Sequence, residues 1–192
     1  MTSKFSGTCA SAAIIIAAAI GLGGCASAAK PEAMVVNTQT SDKPFPQSFS
    51  HAMCVRNVTG GEKTNPLWVS KVDNDGFRTA LKSSLSAVNL EAASDGCTYP
   101  IDVNLLGLSQ PSIGFDMTVT AHVNYKVYDP KAQPVLLETI DSPFTATMKD
   151  AFVGVERLRM ANEGAVRTSI QSFFDKLKDA KPTVTASAAG AQ

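Results

Sequence analysis

From Phe115 to Tyr128 apolar and polar residues alternate without a break. Phe115, Met117, Val119, Ala121, Val123, Tyr125 and Val127 form one set; Asp116, Thr118, Thr120, His122, Asn124, Lys126 and Tyr128 form the other. Successive side chains of a strand point to opposite faces, so this period predicts a long strand with one buried and one wet face. A sheet built around it has one side to cover and one side in water, and every helix of the chain must lie on the covered side. That constraint leaves a two-layer α+β arrangement and excludes a three-layer sandwich.

The flanking segments supply the partners. Asp129-Pro130-Lys131 starts a turn, and Val135 to Met148 reads as the next strand, with Pro143 suited to an edge. Upstream, Tyr99 to Ser109 alternates through Ile101, Val103 and Leu105 until Leu106 breaks the pattern. Ser48 to Thr59 reads as a first strand, ended by Gly60-Gly61. Between these two strands, Asp73-Asn74-Asp75 offers N-caps for a helix with the stripe Phe77, Leu81, Leu85 and Val88, and Asn89 suits a left-handed terminator. Asp150 to Lys178 reads as the last helix, its Val155, Leu158, Ala165, Val166, Ile170, Phe173 and Leu177 recurring at helical spacing. The expected domain is residues 48–180, ordered β-α-β-β-β-α. Its four-stranded, mostly antiparallel sheet carries both helices on one face. With 44% hydrophobic and 18% charged residues in 192, one globular domain is the natural reading.

The N-terminus gives an address. Met1 to Lys4 carries one positive charge, Ala10 to Leu22 is apolar, and Gly23-Gly24-Cys25 follows directly. The apolar run is shorter than the ~20 residues a membrane-crossing helix requires, so residues 1–24 read as an export signal peptide. Leu22-Gly23-Gly24-Cys25 resembles the lipobox of bacterial lipoproteins. That resemblance implies a cysteine modified with diacylglycerol, cleavage before it, and acylated Cys25 as the membrane anchor. Two or three acyl chains hold a protein where one holds it only marginally. The residue after it is Ala26, and by the same resemblance the periplasmic face of the outer membrane is expected. Residues 25–47, with Pro, Ser, Thr, Lys and Asp but no period, read as lipidated cysteine and flexible tether, and residues 181–192 as a disordered tail.

Cys9 leaves with the signal and Cys25 with the lipid, so Cys54 and Cys97 remain as an even pair in an oxidising compartment. They read as a disulfide, worth about 4 kcal/mol in the chain-entropy picture. Lys and Arg number 17 against 17 Asp and Glu, without a basic cluster, so nucleic acid is excluded as a partner. Removing residues 1–24 takes away Lys4 and no acid, leaving a formal charge of −1.

Catalytic chemistry is hard to find. His51 and His122 sit in no metal-ligand or nucleophile spacing and read as surface residues. Glycine-rich phosphate loops, nucleophile elbows, zinc motifs and calcium loops are missing, so no metal or cofactor is expected. Asp102 and Asp116 fall on neighbouring expected strands, where a carboxylate pair is far more often solvated than catalytic. One anomaly remains. At 100° per residue, Arg159 falls at the centre of the last helix's apolar stripe, with Asn162 and Glu163 beside it. Either the helix overhangs the sheet there and Arg159 and Glu163 form a local bridge, or Arg157, Arg159, Glu163 and Arg167 present a charged docking edge to a protein or to acidic headgroups. Trp68 is a second candidate contact, the alternative being that it staples its loop to the first helix.

The element order behind a lipobox, Phe77-Arg78-Thr79-Ala80-Leu81 opening the first helix, and the polar-faced hairpin resemble small envelope lipoproteins that assist lipid transport. These are the auxiliary lipoproteins of ABC-type transporters and the lipopolysaccharide-assembly lipoprotein. The resemblance covers about 48–180. Thr64-Asn65-Pro66-Leu67-Trp68 and Glu156-Arg157-Leu158-Arg159-Met160-Ala161-Asn162-Glu163-Gly164-Ala165 are similar to motifs of a narrower group of uncharacterised bacterial lipoproteins, some labelled UDP-N-acetylglucosamine acyltransferase. Enzymes of that name are cytoplasmic left-handed β-helices of hexapeptide repeats with a catalytic histidine, and nothing in this chain matches them. The transport resemblance implies a non-enzymatic accessory, anchored through Cys25, that docks onto an envelope complex or holds lipid. A structural or stress-related surface lipoprotein without cargo is the second expectation, and an enzyme the third.

Overall fold

The computed structural model describes residues 26–37, 42–65 and 69–182. Residues 1–25, with the expected signal peptide and Cys25, lie outside them, as do Trp68 and residues 183–192 of the expected tail. A four-residue helix α1 (Pro31–Met34) and a 3-10 turn (Gln47–Phe49) precede strand β1 (Met53–Thr59) and helix α2 (Asn74–Ala87). Strands β2 (Tyr99–Ser109), β3 (Met117–Tyr128) and β4 (Pro134–Ala146) follow, and α3 (Gly154–Asp179) closes the chain. The sheet order is β1-β2-β3-β4. β1 and β2 are parallel, joined by α2, while β2, β3 and β4 form an antiparallel meander. Both long helices cover one face, α2 over β1 and α3 over β3 and β4.

The expected alternation organises the core. Met117, Val119, Ala121, Val123, Tyr125 and Val127 are all buried, and Tyr125 stacks on Phe173 of α3 at 4.3 Å between ring centres. Burial pushes the Tyr125 hydroxyl far above its ordinary titration range, and it meets Ser169 Oγ at 3.0 Å. Phe115 departs from the expectation. Pairing of β3 begins at Met117, opposite Ala146, so Phe115 stays in the β2–β3 loop and is exposed. Leu106 broke the pattern of β2 because a bulge lies between Leu105 and Gly107, turning Leu106 to water. Asp73 caps α2 through the Gly76 amide at 2.7 Å, and Asn89 takes a left-handed φ of 58°, both as expected.

The tether expectation is corrected. Residues 26–37 form a strap across the groove between α2 and α3, with Met34 and Val36 buried. Val36 N donates to Ser84 Oγ at 2.9 Å, Lys30 N to Glu163 Oε1 at 2.8 Å, and Ala29 N to Lys71 O at 3.3 Å. Farther along, Phe45 meets Phe174 edge-on at 5.8 Å and lies under Lys178 Nζ. A segment without sequence period still folds when each of its few apolar residues has a preformed slot.

Cys54 in β1 and Cys97, just before β2, are disulfide-bonded, with Cα atoms 5.5 Å apart. The bond ties the edge strand to the start of its parallel neighbour.

Candidate functional site

The charged residues of α3 turn inward. Arg159 donates to both Glu156 and Glu163, the latter at 2.6 Å, and its side chain and that of Glu163 are only 7% and 6% exposed. Hydrogen bonding from Arg159 holds the Glu156 carboxyl below its usual range, and the same bond raises the Arg159 guanidinium. Glu163 spends its other contact on Lys30 N, so the pair explains the charge in the stripe: it receives the strap. Arg167 does the same through Ala33 O at 2.6 Å, lying over the Phe144 ring at 5.6 Å. Arg157 is buried and donates to the carbonyls of Ala151 at 2.8 Å and Phe152 at 2.6 Å, fixing the β4–α3 loop. A docking edge needs solvent-facing groups, whereas Arg157, Arg159 and Glu163 are buried and have intramolecular partners. Asn162, also buried, donates to Ser70 O at 2.9 Å and accepts from Gln110 Nε2 at 2.7 Å, locking three segments together.

The other face of the sheet is open. Arg56 makes two bonds to Asp102, at 2.8 and 2.5 Å, and lies over the Tyr128 ring at 4.8 Å. The guanidinium holds the Asp102 carboxyl below its ordinary range. Asp116 sits beyond the far end of β3, so the two aspartates stay apart; Asp102 faces Lys126 across the ladder. A shallow depression of about 220 Å³ is lined by Asn57, Thr59, Asp102, Asn104, Asn124 and Tyr128, a row of hydrogen-bonding side chains above an apolar layer.

The same face holds a line of side chains that sequence reasoning missed. Ser109 Oγ meets His122 Nε2 at 2.9 Å, and His122 Nδ1 meets Asp141 Oδ1 at 2.7 Å. This is the connectivity of a nucleophile, base and orienting acid. Three strands contribute one residue each, so no linear motif announces it. The Asp141 side chain is 65% exposed, however, and the line stands in water, where a triad's carboxylate is not held and its imidazole not shielded. Among the described residues no cluster of histidine, cysteine or carboxylate has metal-binding geometry, and no helix is long and apolar enough to cross a membrane.

No family model matches the chain, and no curated protein matches its sequence. Its fold is similar to that of a Xanthomonas campestris protein assigned to family DUF330. The TM-score is 0.56 at 12% identity, over 80% of this chain and 94% of that one. A looser likeness links it to a minor lipoprotein from Acinetobacter baumannii, at TM-score 0.44 and 10% identity, over 68% of this chain and 94% of the other. The first likeness establishes the fold: a two-layer α+β domain, far from the left-handed β-helix that the acyltransferase label implies.

Proposed function

We propose that this protein is a lipid-anchored, non-enzymatic accessory of an envelope transport or assembly complex. Acylated Cys25 holds it on the periplasmic side of the outer membrane, and it docks through the open face of its sheet. The observation that supports this reading is the one-sidedness of the domain. α2, α3 and the strap seal one face, and the other displays Arg56 of β1, Asn104 of β2 and Asn124, Lys126 and Tyr128 of β3 without a deep cleft. Such a surface suits a protein partner, since polar side chains fixed on strands specify register while the rigid sheet loses little entropy on binding.

A photo-crosslinking residue in place of Asn124, in cells carrying the full lipidated chain, is expected to trap a component of an envelope complex. The same residue in place of Ser86, on the outer side of α2, is expected to trap none. Silence at both positions, with the protein purifying alone, would favour the structural lipoprotein instead. A fluorophosphonate probe is expected to leave Ser109 unlabelled; labelling that disappears in Ser109→Ala would make the protein a serine hydrolase and end the accessory reading.

A further inference from the structure

One end of the domain is unlike the rest of its surface. β2 and β4 both run toward it, and the loops leaving them, 110–116 and 147–153, carry Ile113, Phe115 and Phe152 at 91%, 81% and 83% exposure, with Val153 and Met148 also exposed. Isolated exposed apolar residues are ordinary, but five on two adjacent loops make a patch. The loops are held, not loose. Arg157 grips the carbonyls of Ala151 and Phe152, Asp150 accepts from the Thr147 amide at 2.7 Å and hydroxyl at 2.8 Å, and Gln110 is bonded to Ser70 and Asn162. Phe152 is thus kept in solvent by a buried arginine that fixes its backbone. Between the loops and the start of α3 runs an open groove of about 500 Å³ lined by Val69, Pro111, Met117, Val155 and Leu158.

The strap runs to the same end. Val36 is bonded to Ser84, late in α2, whereas Pro31 and Met34 lie over Gly76 in its first turn. Lys30 is bonded to Glu163, and Ala29 to Lys71, next to the Ser70 carbonyl that Gln110 and Asn162 hold. Read toward the N-terminus, the chain therefore climbs from the later turns of α2 to the loop that precedes α2 and the third turn of α3. Ala26, three residues before Ala29, is buried and is one peptide unit, about 3.8 Å between Cα atoms, from Cys25.

We infer that the domain is seated directly on the bilayer, with Ile113, Phe115 and Phe152 entering the lipid interface beside the acyl chains on Cys25. This rests on the acylation of Cys25 proposed above. A long tether would let the domain float free; a strap docked almost to its first residue forces one end toward the membrane, and that end is the apolar one. The sheet then stands upright, leaving its open polar face accessible from the side.

The test uses the full mature chain purified from its native membranes. It is reconstituted into phosphatidylethanolamine–phosphatidylglycerol vesicles containing a phosphatidylcholine with a diazirine at the end of one acyl chain. After irradiation, mass spectrometry is expected to find adducts on residues 113–115 and 152–153 and none on 118–128. The same spectra report acylation. Acylated Cys25 without loop adducts overturns the seating and leaves the anchor; an unmodified Cys25 overturns both. Adducts on 118–128 in place of the loops, or loops that crosslink in native membranes to a protein and not to lipid, also overturn it. Ile113→Ser, Phe115→Ser and Phe152→Ser together change only exposed side chains. They should strongly reduce the loop adducts while the chain stays membrane-bound through Cys25; adducts undiminished count against the seating.

Discussion

Gly164 sits in the middle of α3 under the flat of Phe144, so close that a Cβ there would lie 2.2 to 2.4 Å from three ring carbons. Gly164→Ala, which by helix propensity alone should stabilise, is therefore expected to cost about 1–3 kcal/mol through overpacking. Phe144→Leu in the same chain should restore part of that loss, as denaturant unfolding of single and double variants will show. Arg159 answers to a different cost. Its removal leaves Glu163 buried with one partner fewer, and Arg159→Ala is expected to lose about 3 kcal/mol, the scale of an uncompensated buried charge. A variant that keeps full stability would return Arg159 to the surface. Neither residue's role is evident from the chain alone. The Arg159 anomaly is legible as charge in an apolar stripe, but the strap amide that its partner Glu163 accepts from lies more than a hundred positions away.

At the scale of elements, one carboxylate within α3 and one that joins β1 to β2 titrate below their ordinary range. Glu156 is held there by Arg159, and on the sheet Asp102 is held by Arg56. Carboxyls depressed in the folded state contribute stability that is complete above their unfolded values of about 4 and is lost as pH falls through the folded ones. Unfolding midpoints should thus be level from neutral pH to about 5 and drop below 4. Glu156→Gln, which abolishes one titration, should flatten part of that drop; an unchanged acid limb would mean that Glu156 is not paired in solution. Both groups are partly solvated, so the effect of each is modest. Helix and strand positions in this chain were largely readable, because caps, alternation and stripes are local. The bulge at Leu105–Gly107 and the exposure of Phe115 were not, because register is set by pairing with other strands.

For the whole molecule, the strap is the element that, in the seating proposed above, turns a domain on a string into an oriented one. A chain beginning at Asp42 would lose the burial of Met34 and Val36 and leave the Glu163 and Arg167 contacts unmade, and it is expected to be less stable by about 3–6 kcal/mol. A folded, equally stable shorter chain would show that the strap rides on the domain without supporting it. Reading the residues in order was enough to expect the two-layer α+β fold, the one wet face of the sheet and, over two free thiols, the pairing of Cys54 with Cys97 that the structure shows. Each follows from short-range periodicity or from counting. The parallel seating of β1 on β2, the docking of residues 26–37, the inward turn of Arg157, Arg159 and Glu163, and the meeting of Ser109, His122 and Asp141 were decided only by the tertiary structure. These depend on which distant groups share a slot, and a buried charge or an aperiodic segment acquires its place only when the partner that satisfies it has been brought there by the fold.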